Sequence, residues 1–153
     1  MDRLKLKEKV LEKAKERQEE IINDFRSRIN DIRGSEVNLN EGQYDHDQQS
    51  LDESGLERVD KLADQLNFAV DEIDLLNKMQ ITGKTHERVG LGSIVKTDKM
   101  TFFPSVSVEK FNVDGQEFFG ISAKAPLFEQ MKGKRQGESF SYNGETYKIV
   151  DLY

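Results

Sequence analysis

The residues of this chain with the clearest chemical potential are carboxylates crowded into one short stretch. Residues 34–57 carry seven acids and no Lys or Arg. The acids are Glu36, Glu41, Asp45, Asp47, Asp52, Glu53 and Glu57. Acids this close repel one another, a cost that a purely structural turn avoids by using Ser, Asn or Gly. The stretch therefore favours a function for the negative charge itself, such as holding a divalent cation.

Asp45 and Asp47 are the first candidates for metal contact, and Glu41 is the next. Mg²⁺ is usually held by one or two carboxylates together with oxygens of a substrate or partner. His46, between the two aspartates, is a poorer ligand because Mg²⁺ prefers oxygen to imidazole. Such a site is incomplete, so a partner must finish it. The alternative is a solvated acidic loop without a ligand.

Basic residues precede the acids along the chain. Arg26 and Arg33 are one heptad apart and therefore share a helix face. A basic face beside an acidic tip could guide an anionic RNA strand towards a metal ion. The alternative is that these arginines form ordinary ion pairs on a solvated helix.

The charge of the whole chain is concentrated in the acidic stretch. The 153 residues include 29 acids and 23 bases, for a net charge of −6, and the residues outside 34–57 are close to neutral. An acidic chain is a poor binder of bare duplex DNA, because such binding needs an excess of cations to displace counterions. The absence of Cys excludes disulfides and thiolate chemistry. With a charged start and no apolar run of membrane length, we expect a soluble cytoplasmic monomer.

The elements that must position these residues differ between the two halves of the chain. Residues 1–80 contain no Pro and three Gly, whereas residues 81–153 hold eight Gly and both Pro. The first half has one seven-residue apolar seam and one seam spaced by threes and fours. The first seam consists of Leu4, Leu11, Gln18, Phe25 and Ile32, flanked by Lys7, Ala14, Ile21 and Arg28. The second consists of Val59, Leu62, Leu66, Ala69, Ile73 and Leu76.

Two such seams predict an antiparallel coiled-coil hairpin that turns near Gly42, with Gln18 opposite Leu66. Each arm of this hairpin would be about 42 Å long. The alternative is a compact helical bundle. In the second half, Asn143-Gly144 predicts a type I′ turn between two strands, and Pro126 begins a short helix that ends at Met131.

The fold class predicted from these patterns is α+β. An antiparallel coiled-coil hairpin occupies residues 1–80 and has its acidic tip near 34–57. Residues 81–88 form a linker, and residues 89–153 form a small antiparallel β-sheet domain with one short helix.

The C-terminal run Gly120–Glu138, with Tyr147-Lys148-Ile149 and Leu152-Tyr153, resembles the C-terminal domain of the bacterial Gre transcript-cleavage factors. The family pattern is an Ile-Ser step, a Ser-Pro-Leu turn into a short helix, a Gly-Lys, and a Gly-Asp before a hairpin. Residues 89–95 are similar to the stretch that opens that domain. Ala125 stands where the family has Ser, and Glu138 where it has Asp. The family's two tip acids, three residues apart, have no counterpart at that spacing here.

The resemblance implies an FKBP-like sheet domain that docks on RNA polymerase through Ala125, Pro126 and Leu127. The coiled coil would then reach into the secondary channel of the polymerase. There, tip acids such as Asp45 and Asp47 would help to hold a second catalytic Mg²⁺, shared with the polymerase rather than bound stably by this chain. The polymerase hydrolyses the backtracked RNA near its 3′ end, so the factor itself is not an enzyme.

Other functions are compatible with the same residues. Relatives that occupy the channel without promoting cleavage make a non-cleaving regulator one alternative, and a coiled-coil adaptor is another. An FKBP-type prolyl isomerase or chaperone is a third, since the second half is rich in aromatic residues. An independent hydrolase is not indicated, because HExxH, GxSxG and a phosphate-binding loop are missing from the sequence.

Overall fold

The computed structural model describes residues 3–40, 53–79 and 85–153. Two long helices, α1 (Arg3–Asn40) and α2 (Glu53–Lys78), form a helical hairpin and precede a six-stranded sheet with one short helix. The sheet part consists of β1 (Val95–Thr97), β2 (Thr101–Ser105), β3 (Phe111–Val113), β4 (Gln116–Ser122), α3 (Pro126–Met131), β5 (Ser139–Tyr142) and β6 (Glu145–Leu152). The predicted α+β class is confirmed.

The chain packs as two compact units. One contains Met1–Arg17 together with Asp74–Tyr153, and the other is Gln18–Ile73. The first turns of α1 therefore belong to the same unit as the sheet, and we call this the sheet unit. The second is the hairpin unit. The predicted division into residues 1–80, a linker at 81–88 and a domain at 89–153 stays a prediction.

One predicted seam position of α1 is confirmed, because all five of its residues are buried or half-buried: Leu4, Leu11, Gln18, Phe25 and Ile32. The other position shifts by one residue along the helix. Lys7 and Ala14 are buried as predicted, whereas Ile22 and Ile29 are buried in place of Ile21 and Arg28. An α-helix has 3.6 residues per turn, so a straight helix drifts away from a heptad seam. The prediction that Arg28 lies in the seam is wrong, because Arg28 is exposed and pairs with Asp24 at 3.0 Å. The predicted stripe of α2 is confirmed, since all six of its residues are buried or half-buried.

Gln18, the first residue of the hairpin unit, is buried. Its side chain is 1% exposed, and Nε2 donates a hydrogen bond of 3.1 Å to the carbonyl oxygen of Ala69. The predicted partner was Leu66, which lies one helical turn away on the same stripe of α2. Oε1 of Gln18 has no hydrogen-bond partner among the described residues.

The sheet is mixed, with strand order β3-β4-β2-β1-β6-β5. Four neighbouring pairs are antiparallel, as predicted, but β2 and β4 are parallel, with Phe102 opposite Phe119 and Phe103 opposite Gly120. The parallel pair arises because β3 intervenes in sequence and lies at the far edge. β4 then returns from β3 in the direction of β2.

Two tight turns of one kind close the hairpins at the edges of the sheet. Asn143-Gly144, with φ angles of 52° and 78°, joins β5 to β6 as predicted. Asp114-Gly115, with φ angles of 51° and 81°, joins β3 to β4 in the same way. The sequence analysis did not use Asp114-Gly115, although an Asp-Gly dipeptide between apolar residues is a hairpin signal of the same strength.

The main core lies between one face of the sheet and α3. It contains Val89, Val95, Phe102, Ile121, Phe128, Met131, Phe140, Ile149 and Leu152. Ion pairs tie the first turns of α1 to the same unit: Arg3 pairs with Asp151 at 3.2 Å, and Lys9 pairs with Asp114 at 3.0 Å. These contacts explain why the start of α1 packs with strands that lie far from it in sequence.

Candidate docking site at the start of α3

The turn that leads from β4 into α3 is held by backbone hydrogen bonds. The amide of Ala125 donates to the carbonyl oxygen of Ser122 at 3.0 Å, and the amide of Lys124 donates to Ser122 Oγ at 3.1 Å. Ala125 has extended backbone angles and contributes no side-chain cap. Pro126 occupies the first turn of the helix, where its missing N–H would be unpaired in any case and its fixed φ suits the helix. The turn is therefore rigid.

The three predicted docking residues lie together on this turn with different exposures. Pro126 is exposed, and Ala125 and Leu127 are half-buried. Leu127 packs against the main core, into which Phe128 of the same helix is fully inserted. The predicted residues thus form an apolar surface that lies directly on a packed core. That they contact a polymerase stays a prediction.

Further half-buried apolar side chains line the margin of the same core. They are Met100, Phe119, Ala123 and Tyr147. Tyr147 stacks on Phe140 at 5.2 Å between ring centroids and meets the edge of Phe102 at 5.8 Å. Phe119 lies opposite Phe102 in the parallel pair. The surface suits apolar side chains of a partner protein rather than a small polar ligand.

The turn between β1 and β2 holds this margin in place. Thr97 Oγ1 donates to the carbonyl oxygen of Met100 at 2.6 Å and accepts from the amide of Met100 at 3.0 Å. Lys99 Nζ binds Glu145 Oε2 at 2.7 Å and lies 5.2 Å from the centre of the Tyr147 ring. The hydrogen bond to Glu145 is the main reason that the pKa of Lys99 is raised. These contacts connect the turn to the β5–β6 hairpin.

Lys7 and His86 form a close pair that the sequence analysis did not identify. Lys7 is fully buried, and its Nζ lies 3.0 Å from Nδ1 of His86. Burial lowers the pKa of Lys7 to about 8. Burial and the charge of Lys7 both lower the pKa of His86, and a hydrogen bond to the Leu91 backbone partly offsets them. The position of Lys7 in the predicted seam indicated that it is buried. No feature of the sequence indicated that it lies beside His86.

The remaining predicted site residues are not brought into this site. Arg26 and Arg33 lie exposed on α1, and a role in guiding RNA stays a prediction. Glu41, Asp45 and Asp47 lie outside the described residues, as does Gly42. Within the described part of the chain, no three His, Asp or Glu side chains are grouped closely enough to hold a metal ion.

None of the helices, over the residues described, has an apolar stretch long enough to cross a bilayer.

Among solved structures, the crystal structure of GreA factor homolog 1 (Gfh1) of Thermus thermophilus is similar to this chain. The similarity covers 92% of this chain and 94% of that chain, at 18% sequence identity and a TM-score of 0.34. No protein-family model and no curated protein matches the sequence. The function is therefore argued from the residues of this chain.

Proposed function

We propose that this chain is a Gre-like transcription factor that docks on RNA polymerase through the start of α3. The observation that supports it most directly is the rigid turn at Ala125, Pro126 and Leu127, which presents apolar side chains above a packed core. These are the positions at which the sequence resembles the docking turn of the Gre factors. The turn is fixed before binding, so little conformational entropy is lost when a partner covers it.

The docking claim is tested by the change Leu127→Gln, with retention of the purified chain on core RNA polymerase as the measurement. Leu127 is half-buried at the proposed contact, so we expect about tenfold weaker binding. Val150→Gln is the matched control, because Val150 is 42% exposed on β6, outside the proposed contact. Thermal unfolding of both variants shows whether the fold is kept. Equal retention of the two folded variants, or no retention of the unchanged protein, would contradict the proposal.

The second part of the proposal concerns the acidic stretch. Asp45 and Asp47, with Glu41 next, would contribute carboxylate oxygens to a Mg²⁺ shared with the polymerase, consistent with the hard oxygen donors that this ion prefers. The ion would supply an activated water and stabilise charge on the phosphate oxygens of backtracked RNA. The chain's own contribution would be the negative charge of these acids, which follow the exposed cations Arg26 and Arg33 in the sequence.

RNA cleavage by a backtracked polymerase complex, over a Mg²⁺ titration, tests this second part. We expect the unchanged chain to accelerate cleavage and the double change Asp45→Asn with Asp47→Asn to remove most of the acceleration. The matched control is Asp60→Asn with Asp64→Asn, which removes the same charge from exposed positions of α2. If the chain binds the polymerase but never accelerates cleavage, it is a non-cleaving channel regulator. If the tip variant keeps full activity, the metal pair is wrong.

A further inference from the structure

Four cations gather beside the point at which the chain leaves α3. Arg88 precedes β1, whereas Lys132, Lys134 and Arg135 follow α3. Two backbone hydrogen bonds bring these segments together: the amide of Val89 donates to the carbonyl oxygen of Lys134 at 2.8 Å, and the amide of Gly133 donates to that of Val89 at 2.9 Å. We call Arg88, Lys132, Lys134 and Arg135 the α3 basic cluster.

None of the four cations of the α3 basic cluster forms an ion pair with a residue that the structure describes. Other cations of the sheet unit differ in this respect: Arg3, Lys9, Lys99 and Lys110 each bind a carboxylate, whereas Lys5 and Lys148 also form no ion pair with a described residue. What distinguishes the cluster is that four cations lie close together, on a chain whose net charge is negative.

Three acids lie beside the four cations in sequence, namely Glu87, Glu129 and Glu138. None of them forms an ion pair with the cluster among the described residues, so the cations keep an excess of one charge. Glu138 Oε1 accepts a hydrogen bond of 2.9 Å from the backbone amide of Arg135, and the amide of Glu138 donates to the carbonyl oxygen of Arg135 at 3.1 Å. The carboxylate is thus engaged with the backbone of its own turn. Arg88, Lys132 and Arg135 remain exposed, and Lys134 is half-buried.

The position of the cluster next to the docking turn indicates whether it binds an acidic polypeptide or a nucleic acid. α3 has six residues, so its two ends are about 9 Å apart, and the cluster and the apolar docking turn fit within the footprint of one partner. Protein interfaces combine an apolar centre with a charged rim in this way. Binding sites for nucleic acid without sequence preference combine a cationic groove that follows the backbone with aromatic stacking platforms. The arrangement therefore favours an acidic polypeptide.

We propose that the α3 basic cluster binds an acidic segment of the protein that covers the docking turn. This inference rests on the proposed function, in which that protein is RNA polymerase. Charges at the rim of an interface act mainly on the association rate and its salt dependence. The cluster would therefore steer the chain onto the polymerase, and the apolar turn would then hold it there.

The experiment measures association of the full chain with core RNA polymerase at increasing KCl concentration. The test variant is Lys132→Gln with Arg135→Gln, and the matched control is Lys5→Gln with Lys148→Gln. The control removes the same charge from exposed cations of the same unit that also form no ion pair with any described residue. We expect about fivefold weaker binding of the test variant at low salt, a shallower salt dependence, and binding of the control within twofold of the unchanged chain.

The outcomes separate this inference from the proposed function. If the unchanged chain does not bind core polymerase at any salt concentration, the proposed function fails. If it binds but the test and control variants lose affinity equally, the cluster has no specific role. A labelled single-stranded RNA without polymerase is the third arm. If only the test variant loses affinity for this RNA while it binds polymerase normally, the cluster is a nucleic-acid contact and the inference is overturned.

Discussion

Lys7 combines full burial with an ionisable amine, so its effect on stability depends on pH. Burial lowers its pKa from 10.5 in the unfolded chain to about 8 in the native protein. Between these values the unfolded chain binds more protons, so this contribution to the free energy of unfolding rises with pH. Below about pH 8 the cost of burying the charge is fully present.

The matching prediction compares the unchanged chain with Lys7→Met by thermal unfolding at pH 7.5 and pH 9.5. Lys7 should make the Tm of the unchanged chain rise by about 4–7 °C more than that of the variant, because the fall in the pKa of Lys7 from 10.5 to about 8 corresponds to roughly 2 kcal/mol between these two pH values. Titrating groups that do not contact Lys7 are common to both proteins and cancel in the difference. His86 does contact Lys7, but its pKa is lowered from 6.5, so it titrates below this pH range. If the Tm values of the two proteins changed equally between pH 7.5 and pH 9.5, burial would not lower the pKa of Lys7.

Gly120 allows β4 to approach the segment that follows β2. A Cβ at this position would lie 2.7 Å from the carbonyl oxygen of Val106 and 2.9 Å from the amide nitrogen and Cβ of Val108. Two of these three atoms belong to the backbone, so the neighbours cannot move aside easily. The amide of Gly120 also donates to the carbonyl oxygen of Val108 at 3.1 Å. The absence of a side chain is thus a packing requirement here.

We therefore expect Gly120→Ala to lower the free energy of unfolding by about 1–3 kcal/mol, as overpacking does elsewhere. Gly34→Ala is the informative comparison, because a Cβ there meets no atom within 4 Å and the residue lies in α1. That change should raise stability by about 0.5–1 kcal/mol. Urea denaturation measures both, and an unchanged or raised stability of Gly120→Ala would show that the close contact at β4 is unimportant.

For the helices, the decisive feature is the shift of the buried face of α1 from Ile21 to Ile22. A heptad seam would bury Ile21, whereas the structure buries Ile22 to 6% exposure and leaves Ile21 half-buried. Ile22→Ala should therefore cost about 2 kcal/mol in the free energy of unfolding, and Ile21→Ala should cost distinctly less. Urea denaturation of the two variants decides between the seams. A larger loss of stability for Ile21→Ala than for Ile22→Ala would support the heptad position of Ile21 instead.

How much of the structure the sequence predicts depends on the range of the interactions. Local signals succeeded, as at the Asn143-Gly144 turn and the Pro126 start of α3, because a few neighbouring residues decide them. The parallel pairing of β2 with β4 and the packing of Lys7 beside His86 depend on segments that are distant in sequence. In α1 the heptad holds at one seam position and shifts from Ile21 to Ile22 at the other, because a helix with 3.6 residues per turn drifts away from a strict seven-residue repeat.

At the scale of the whole molecule, the distribution of charge sets which anions the chain can approach. The net charge is −6, and the exposed cations of the α3 basic cluster are a local exception. A chain with this charge gains little from releasing the counterions of DNA. Its electrostatic interactions with nucleic acid should therefore depend on a protein partner.

We accordingly expect no measurable binding of a 30-base-pair duplex DNA at about 0.15 M salt and micromolar protein. Fluorescence anisotropy of a labelled duplex measures this, and core RNA polymerase added to the same duplex serves as the positive control. Binding that weakens steeply with salt in the absence of polymerase would contradict the expectation, because it would reveal a cationic surface that neutralises several phosphates.

The position of β1 between β2 and β6 has a kinetic consequence. β1 pairs with β6 through Val95 opposite Leu152, so the centre of the sheet closes only when residues far apart in the chain meet. Contacts of such high sequence separation slow folding, whereas each helix by itself forms through hydrogen bonds between residues four apart. During synthesis on the ribosome, the side chains of Val95 and Phe102 stay exposed to solvent until β6 has emerged. The nascent chain therefore exposes apolar surface that chaperones recognise.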